Sequence, residues 1–139
     1  MLTTTVAAIF TFLAVVHLYW LCGGRAGKSA AIPEIGGHAA FTPSAPATAT
    51  VAAGLFLSAI LVAALGGVLA LPVRGGVLRA MGYLLSAALC ARAIGDMRLV
   101  GFFKRVRGTR FAKLDTVLYS PLCLGLGLSV LAIVSHRGS

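Results

Sequence analysis

Charge is scarce in this sequence, and negative charge is scarcer still. Asp, Glu, Lys and Arg make up 11% of the 139 residues, against about 25% in soluble domains. The acidic residues are Glu34, Asp96 and Asp115, facing twelve Lys and Arg. So little charge excludes an ordinary water-soluble globule. Cysteine is rare as well: Cys22, Cys90 and Cys123 form an odd, scattered set with no C-x-x-C pair. That pattern excludes a disulfide framework and a thiol-redox centre, and leaves the three as small buried hydrophobes. No His or Cys pair has metal-ligand spacing, so no metal is expected. A bis-histidine haem lacks its second ligand, because His17 alone falls in a helix core. No cofactor is indicated either, since "GVLRAMG" lacks the lysine and context of a phosphate-binding loop. The first apolar run has no basic n-region and is long for the h-region of a secretory signal, so it reads as a retained helix.

Apolar length is what the chain has in abundance. Hydrophobic residues make up 59% of it, and its mean hydropathy is +0.98. Residues 3–22 carry no charge, and neither do residues 45–73. The run 80–103 is interrupted by Arg92, Asp96 and Arg98, and the run 114–134 carries Asp115 at its start. A helix needs roughly 20 apolar residues to cross the hydrocarbon core. The expected fold is therefore all-α, an integral membrane four-helix bundle forming a single domain over residues 1–139. Its helices are expected at about 3–22, 48–71, 77–103 and 114–135.

The surplus of positive charge has a topological explanation. Arg25 and Lys28 follow helix 1, and Arg98, Lys104, Arg105, Arg107, Arg110 and Lys113 surround the end of helix 3. The opposite face has Arg74, Arg79 and Arg137, making eight against three with Arg92 set aside inside helix 3. The positive-inside rule then puts both termini outside, periplasmic or extracellular, and both basic loops in the cytoplasm. Membrane lipids are the expected partner, with the 104–113 segment touching anionic headgroups. Nucleic acid is not needed to explain the charge. The 23–47 loop, "GGRAGKSAAIPEIGGHAAFTPSAPATA", is too rich in Gly, Pro and Ser for a continuous helix. It also holds Ile32, Ile35 and Phe41, which suit a flap over the cytoplasmic end of the bundle.

Counting along the helices at 1.5 Å per residue brings the unusual side chains to one level. His17 and Trp20 approach the inner end of helix 1. Arg92 and Asp96 lie in the inner half of helix 3, four apart and so on one helix face. Asp115 and Tyr119 open helix 4, with Glu34 and His38 in the loop on the same side. Arg before Asp is the weaker order for an i,i+4 pair, so Arg92 to Asp115 is a competing pairing. Each residue also has a structural reading: an ion network, an N-cap for Asp115, and an interfacial aromatic belt for Tyr19 and Trp20. Ionisable groups at membrane depth are costly, which makes them functional candidates.

"HLYWLCGG" (17–24), "IPEIGG" (32–37), "FTPSAPATATVA" (41–52) and "RAIGDMRLVGFFKRVRGTRFAKLDTVLYSPLCL" (92–124) resemble small bacterial four-helix membrane proteins grouped as a domain of unknown function. The resemblance covers nearly the whole chain. It implies the four-helix architecture and a multi-pass place in a bacterial cytoplasmic (inner) membrane. It also draws attention to His17, Trp20, Pro33, Arg92, Gly95, Asp96, Phe111, Asp115, Tyr119, Ser120 and Pro121, but brings no activity. A fainter likeness, to the emopamil-binding-protein group of sterol isomerases, is analogy without matching motifs.

Three functions suit this layer. One is a pocket that binds or transforms a lipophilic small molecule, with His17 or Asp96 as the proton-transfer group. Trp20, Arg92, Asp115, Tyr119 and Glu34 are its expected binding residues. Another is a non-catalytic accessory or assembly subunit docking a membrane partner protein. The third is a proton-linked transporter, dimerising through the small-residue faces of helices 2 and 4. Against the third, no internal repeat is evident.

Overall fold

A computed structural model of the chain describes residues 1–136, so Arg137, counted above among the outer charges, lies outside the described residues. Four helices carry the fold: α1 (Leu2–Leu21), α2 (Ala45–Leu65), α3 (Gly75–Ile94) and α4 (Arg110–His136). All four are long and apolar enough to cross a membrane. The chain is a mostly helical, multi-pass membrane protein.

The buried core fixes the direction of each helix. Val6 and Phe10 of α1 and Leu78 of α3 pack with Leu61, Val62 and Leu65 of α2 and Val130 and Val134 of α4. Early residues of α1 and α3 thus meet late residues of α2 and α4, so the helices alternate up and down. The apolar core sits at the end that holds both termini. The buried charged side chains, Lys104 and Asp115, lie toward the opposite end. α1 packs chiefly on α2, and α3 on α4. The second pair approaches closely at Gly127, where an added Cβ would lie 2.8 Å from Cys90 Sγ and 3.2 Å from the Ser86 carbonyl oxygen. There the Ser86 hydroxyl donates to the Gly127 carbonyl at 2.8 Å, tying α3 to α4.

Local chemistry sets the helix ends, and four of them differ from the expected bounds. α2 starts before residue 48 because Ser44 caps it, accepting from the Ala47 N–H at 3.3 Å, while Pro46 needs no donor in the first turn. It stops at Leu65 rather than 71, since Gly66 and the left-handed Gly67 (φ +74°) end it. α3 stops at Ile94, nine residues short of 103, at Gly95 with φ +94°. α4 begins at Arg110, where Thr109 accepts from the Ala112 N–H at 3.1 Å. Residues Asp115–Tyr119 form a π-turn, in which the Ser120 N–H reaches back to the Asp115 carbonyl. Pro121, which cannot donate, lies two residues past that wide turn.

The loop from α1 to α2 is ordered. It contains a 3₁₀ turn at Ser29–Ala31 and a short antiparallel hairpin, β1 (Glu34–Ile35) with β2 (His38–Ala39). The 3₁₀ turn and β1 both rest against the start of α4.

Candidate functional site

The site begins in the last turn of α1. His17 Nδ1 lies 2.8 Å from the Leu13 carbonyl oxygen. A carbonyl can only accept, so Nδ1 carries the proton. Nε2 is left without a hydrogen-bond partner among the described residues. The His17 ring meets Trp20 edge-on, with centroids 4.9 Å apart. Trp20 then donates from Nε1 to the Ala26 carbonyl at 2.8 Å, and the Tyr19 hydroxyl accepts from the Ala26 N–H at 3.4 Å. Gly24 lets this happen: the Tyr19 ring occupies the space a Cβ would need there. Two adjacent aromatics thereby fold the loop back over the helix end. Between the folded loop, α1 and the first turns of α2 lies a cavity of about 390 Å³. His17, Trp20, Lys28, Ile32, Phe41 and Val51 are among its walls.

A second polar cluster stands apart from that cavity. Asp115 is fully buried on α4, and its Oδ1 accepts from Arg92 Nη2 at 2.8 Å. Its Oδ2 accepts from the Gly101 N–H at 2.7 Å and from Lys104 Nζ at 3.0 Å. Lys104 is 3% exposed and spends its remaining donors on the Gly101 carbonyl at 2.9 Å and the Thr116 hydroxyl at 2.7 Å. Buried charge is tolerable only when paired and hydrogen-bonded in this way. Arg92 Nη1 and Ser120 Oγ are buried without a hydrogen-bond partner.

The loop between α3 and α4 presents Gly101 and Lys104 to Asp115, and Asp96 shapes that loop. Asp96 Oδ1 accepts backbone N–H bonds from Arg98, Leu99 and Val100 at 2.9, 2.7 and 3.0 Å. The Val100 bond is the largest influence holding its carboxyl below the ordinary carboxylate value; burial opposes it, and the Arg98 and Leu99 bonds add to the lowering. Gly95 and Gly101 close the loop, each with positive φ and each pressed so near the other's backbone that a Cβ has no room.

The expected residues therefore separate into two groups. His17 and Trp20 line the cavity; Arg92 and Asp115 form the ion cluster. Asp96 is exposed and occupied by its own loop, not by Arg92, because α3 ends before a shared helix face can form. Asp115 is not the N-cap of α4; Thr109 is. Tyr119 donates to the Ala30 carbonyl at 3.2 Å while its ring packs near Phe111, so it ties the α1–α2 loop to α4 and lies outside the cavity lining. Glu34, in β1, is half-buried and makes no side-chain hydrogen bond among the described residues. Lys104, expected at lipid headgroups, is instead buried beneath its loop. Sequence reasoning passed over Lys28 and Lys104 as topological charge. The pinning of Ala26 could have been suspected from the adjacent Tyr-Trp pair facing Gly-Gly.

A small four-helix membrane protein, with a loop-covered cavity and a separate buried ion cluster, is the class this architecture defines. The chain belongs to the family described as protein of unknown function (DUF3995), whose model matches residues 10–130. That span takes in both the cavity and the ion cluster. No curated protein and no solved structure matches the chain.

Proposed function

We propose that the protein binds a lipophilic small molecule in the cavity beneath the α1–α2 loop. The observation that carries this reading is the cavity itself: about 390 Å³, within the roughly 300–1,000 Å³ typical of ligand pockets. Apolar walls from Ile32, Phe41 and Val51 would hold a hydrocarbon portion. His17 supplies a fixed polar contact through Nε2, because its other nitrogen is bonded to Leu13. Of the two residues considered for proton transfer, His17 is the one that stands at the cavity. The positive-inside rule places this end, with Arg25 and Lys28, toward the cytoplasmic leaflet. Mass spectrometry of amphiphiles retained through purification tests the reading. Wild type is expected to keep a bound amphiphile that Ala47→Phe, which fills the cavity from α2, loses. Equal recovery from both proteins would sink it.

A second reading, the accessory or assembly subunit, draws support from the Asp115 cluster. Most of its polar atoms are satisfied within the chain, as a brace requires. A fixed membrane partner that co-purifies equally with wild type and with Ala47→Phe is the result that favours it.

A further inference from the structure

The cavity is electrostatically one-sided. Lys28 is among its lining residues, and no carboxylate is. The three acids of the chain are engaged or elsewhere: Asp115 with Arg92 and Lys104, Asp96 with its own loop, and Glu34 in β1 outside the lining. Lys28 has no ion pair among the described residues. Its backbone is nonetheless fixed, for its N–H donates to the Arg25 carbonyl at 3.2 Å, next to the Ala26 that Trp20 and Tyr19 hold. The hydroxyls nearby are donors as well. Ser44 Oγ already accepts from the Ala47 N–H, leaving its own proton to give, and Thr42 makes no side-chain hydrogen bond among the described residues.

From this we infer the ligand's head: the cavity takes an amphiphile with an anionic head group, carboxylate or phosphate, held by Lys28 with Thr42 and Ser44, its chain lying against Ile32, Phe41 and Val51. The inference rests on the binding function proposed above. A neutral head would leave the ammonium unpaired in a partly enclosed apolar space, and a cationic head would be repelled by it. Hydrogen bonds between an ammonium and an anionic oxygen are among the strong ones. The α2 N-terminus adds its dipole, while Pro46 has no N–H and Ser44 occupies that of Ala47. The volume accommodates a head and the first part of one chain rather than a whole two-chain lipid.

Trp20 is the only tryptophan in the chain and lines the cavity, so its fluorescence reports occupancy directly. In nanodiscs of zwitterionic phospholipid with a tryptophan-free scaffold, the protein is titrated with dodecanoate, dodecyl phosphate, dodecanol and dodecyltrimethylammonium. Both anions are expected to give a saturable change, at least about tenfold tighter than the alcohol, and the cation none. Lys28→Met erases that advantage, Lys28→Arg keeps it, and Ala47→Phe removes the response to all four. Repeating the titration in discs containing anionic phospholipid separates the sources: weaker apparent binding marks the bilayer lipid as a competing occupant, and unchanged binding marks a free single-chain amphiphile. An alcohol that binds as tightly as the anions, or a preference untouched in Lys28→Met, overturns the head-group assignment while leaving the binding function standing. No saturable response to any of the four overturns both.

Discussion

At the scale of single residues, the buried carboxylate of Asp115 has the greatest consequences. It holds Arg92, the Gly101 N–H and Lys104 together. Removing one member of a buried pair strands the other, at a cost of about 3–5 kcal/mol. Lys104→Met and Asp115→Asn should each lower the thermal midpoint in detergent by a clear margin. The double variant should lose much less than the sum, because no buried charge of that pair then remains unmatched. Additive losses would show that the two residues act separately. Asp96 behaves differently, being exposed. Its folded-state pKa is depressed below the ordinary value of 3.8, so its contribution to the loop is present above that pH and is lost as pH falls through the lower folded value. Pepsin cleavage within residues 97–100 should therefore rise only below pH 3.8 in wild type, and should already be high above it in Asp96→Ala. The Arg92–Asp115 pairing was visible in the sequence as a candidate. Lys104 was not, since one lysine among Arg105, Arg107 and Arg110 carries no sign that it alone turns inward.

At the scale of elements, sequence hydrophobicity located all four helices and misjudged where several of them end. Apolarity says where a chain can sit in lipid, whereas backbone chemistry says where it stops winding. Gly67 and Gly95, both in the left-handed region, end helices in the middle of apolar runs. The loop 95–103 is apolar in composition and yet non-helical, because three of its N–H groups bond Asp96. The π-turn at Asp115–Tyr119 left only an indirect trace, the proline just beyond it. Packing between α3 and α4 depends on the bare backbone of Gly127. Gly127→Val should force the two helices apart, break the Ser86 bond and destabilise the protein by more than about 1 kcal/mol through overpacking. Faster alkylation of Cys90, half-buried at that contact, is the accompanying sign. Unchanged Cys90 reactivity and stability would show that the contact has slack.

For the whole molecule, the sequence conveyed height and not bearing. Rise per residue placed His17, Arg92, Asp115 and Tyr119 near one level, and the alternating helix directions agree with that. Which neighbour each side chain faces depends on how the helices are turned, and that divided the expected single layer into a cavity and an ion cluster. The charge imbalance makes one further claim about the entire chain, that both termini face away from the cytoplasm. Fusing alkaline phosphatase to the C-terminus should give an active reporter in a bacterial host, while a fluorescent protein at the same position should stay dark. The reverse pattern would turn the bundle over and put the cavity in the opposite leaflet.

The hydrogen bond from Tyr119 to Ala30 spans 89 residues of chain, and it gives the protein a history as well as a shape. Ribosomes add about 5–20 residues per second, so the tyrosine arrives roughly 4–18 s after the loop it latches. Through that interval the α1–α2 loop can turn back on Trp20, but it has no final helix to rest on. The cavity's walls, all from residues 17–51, are thus made well before the helix on which their covering loop comes to rest.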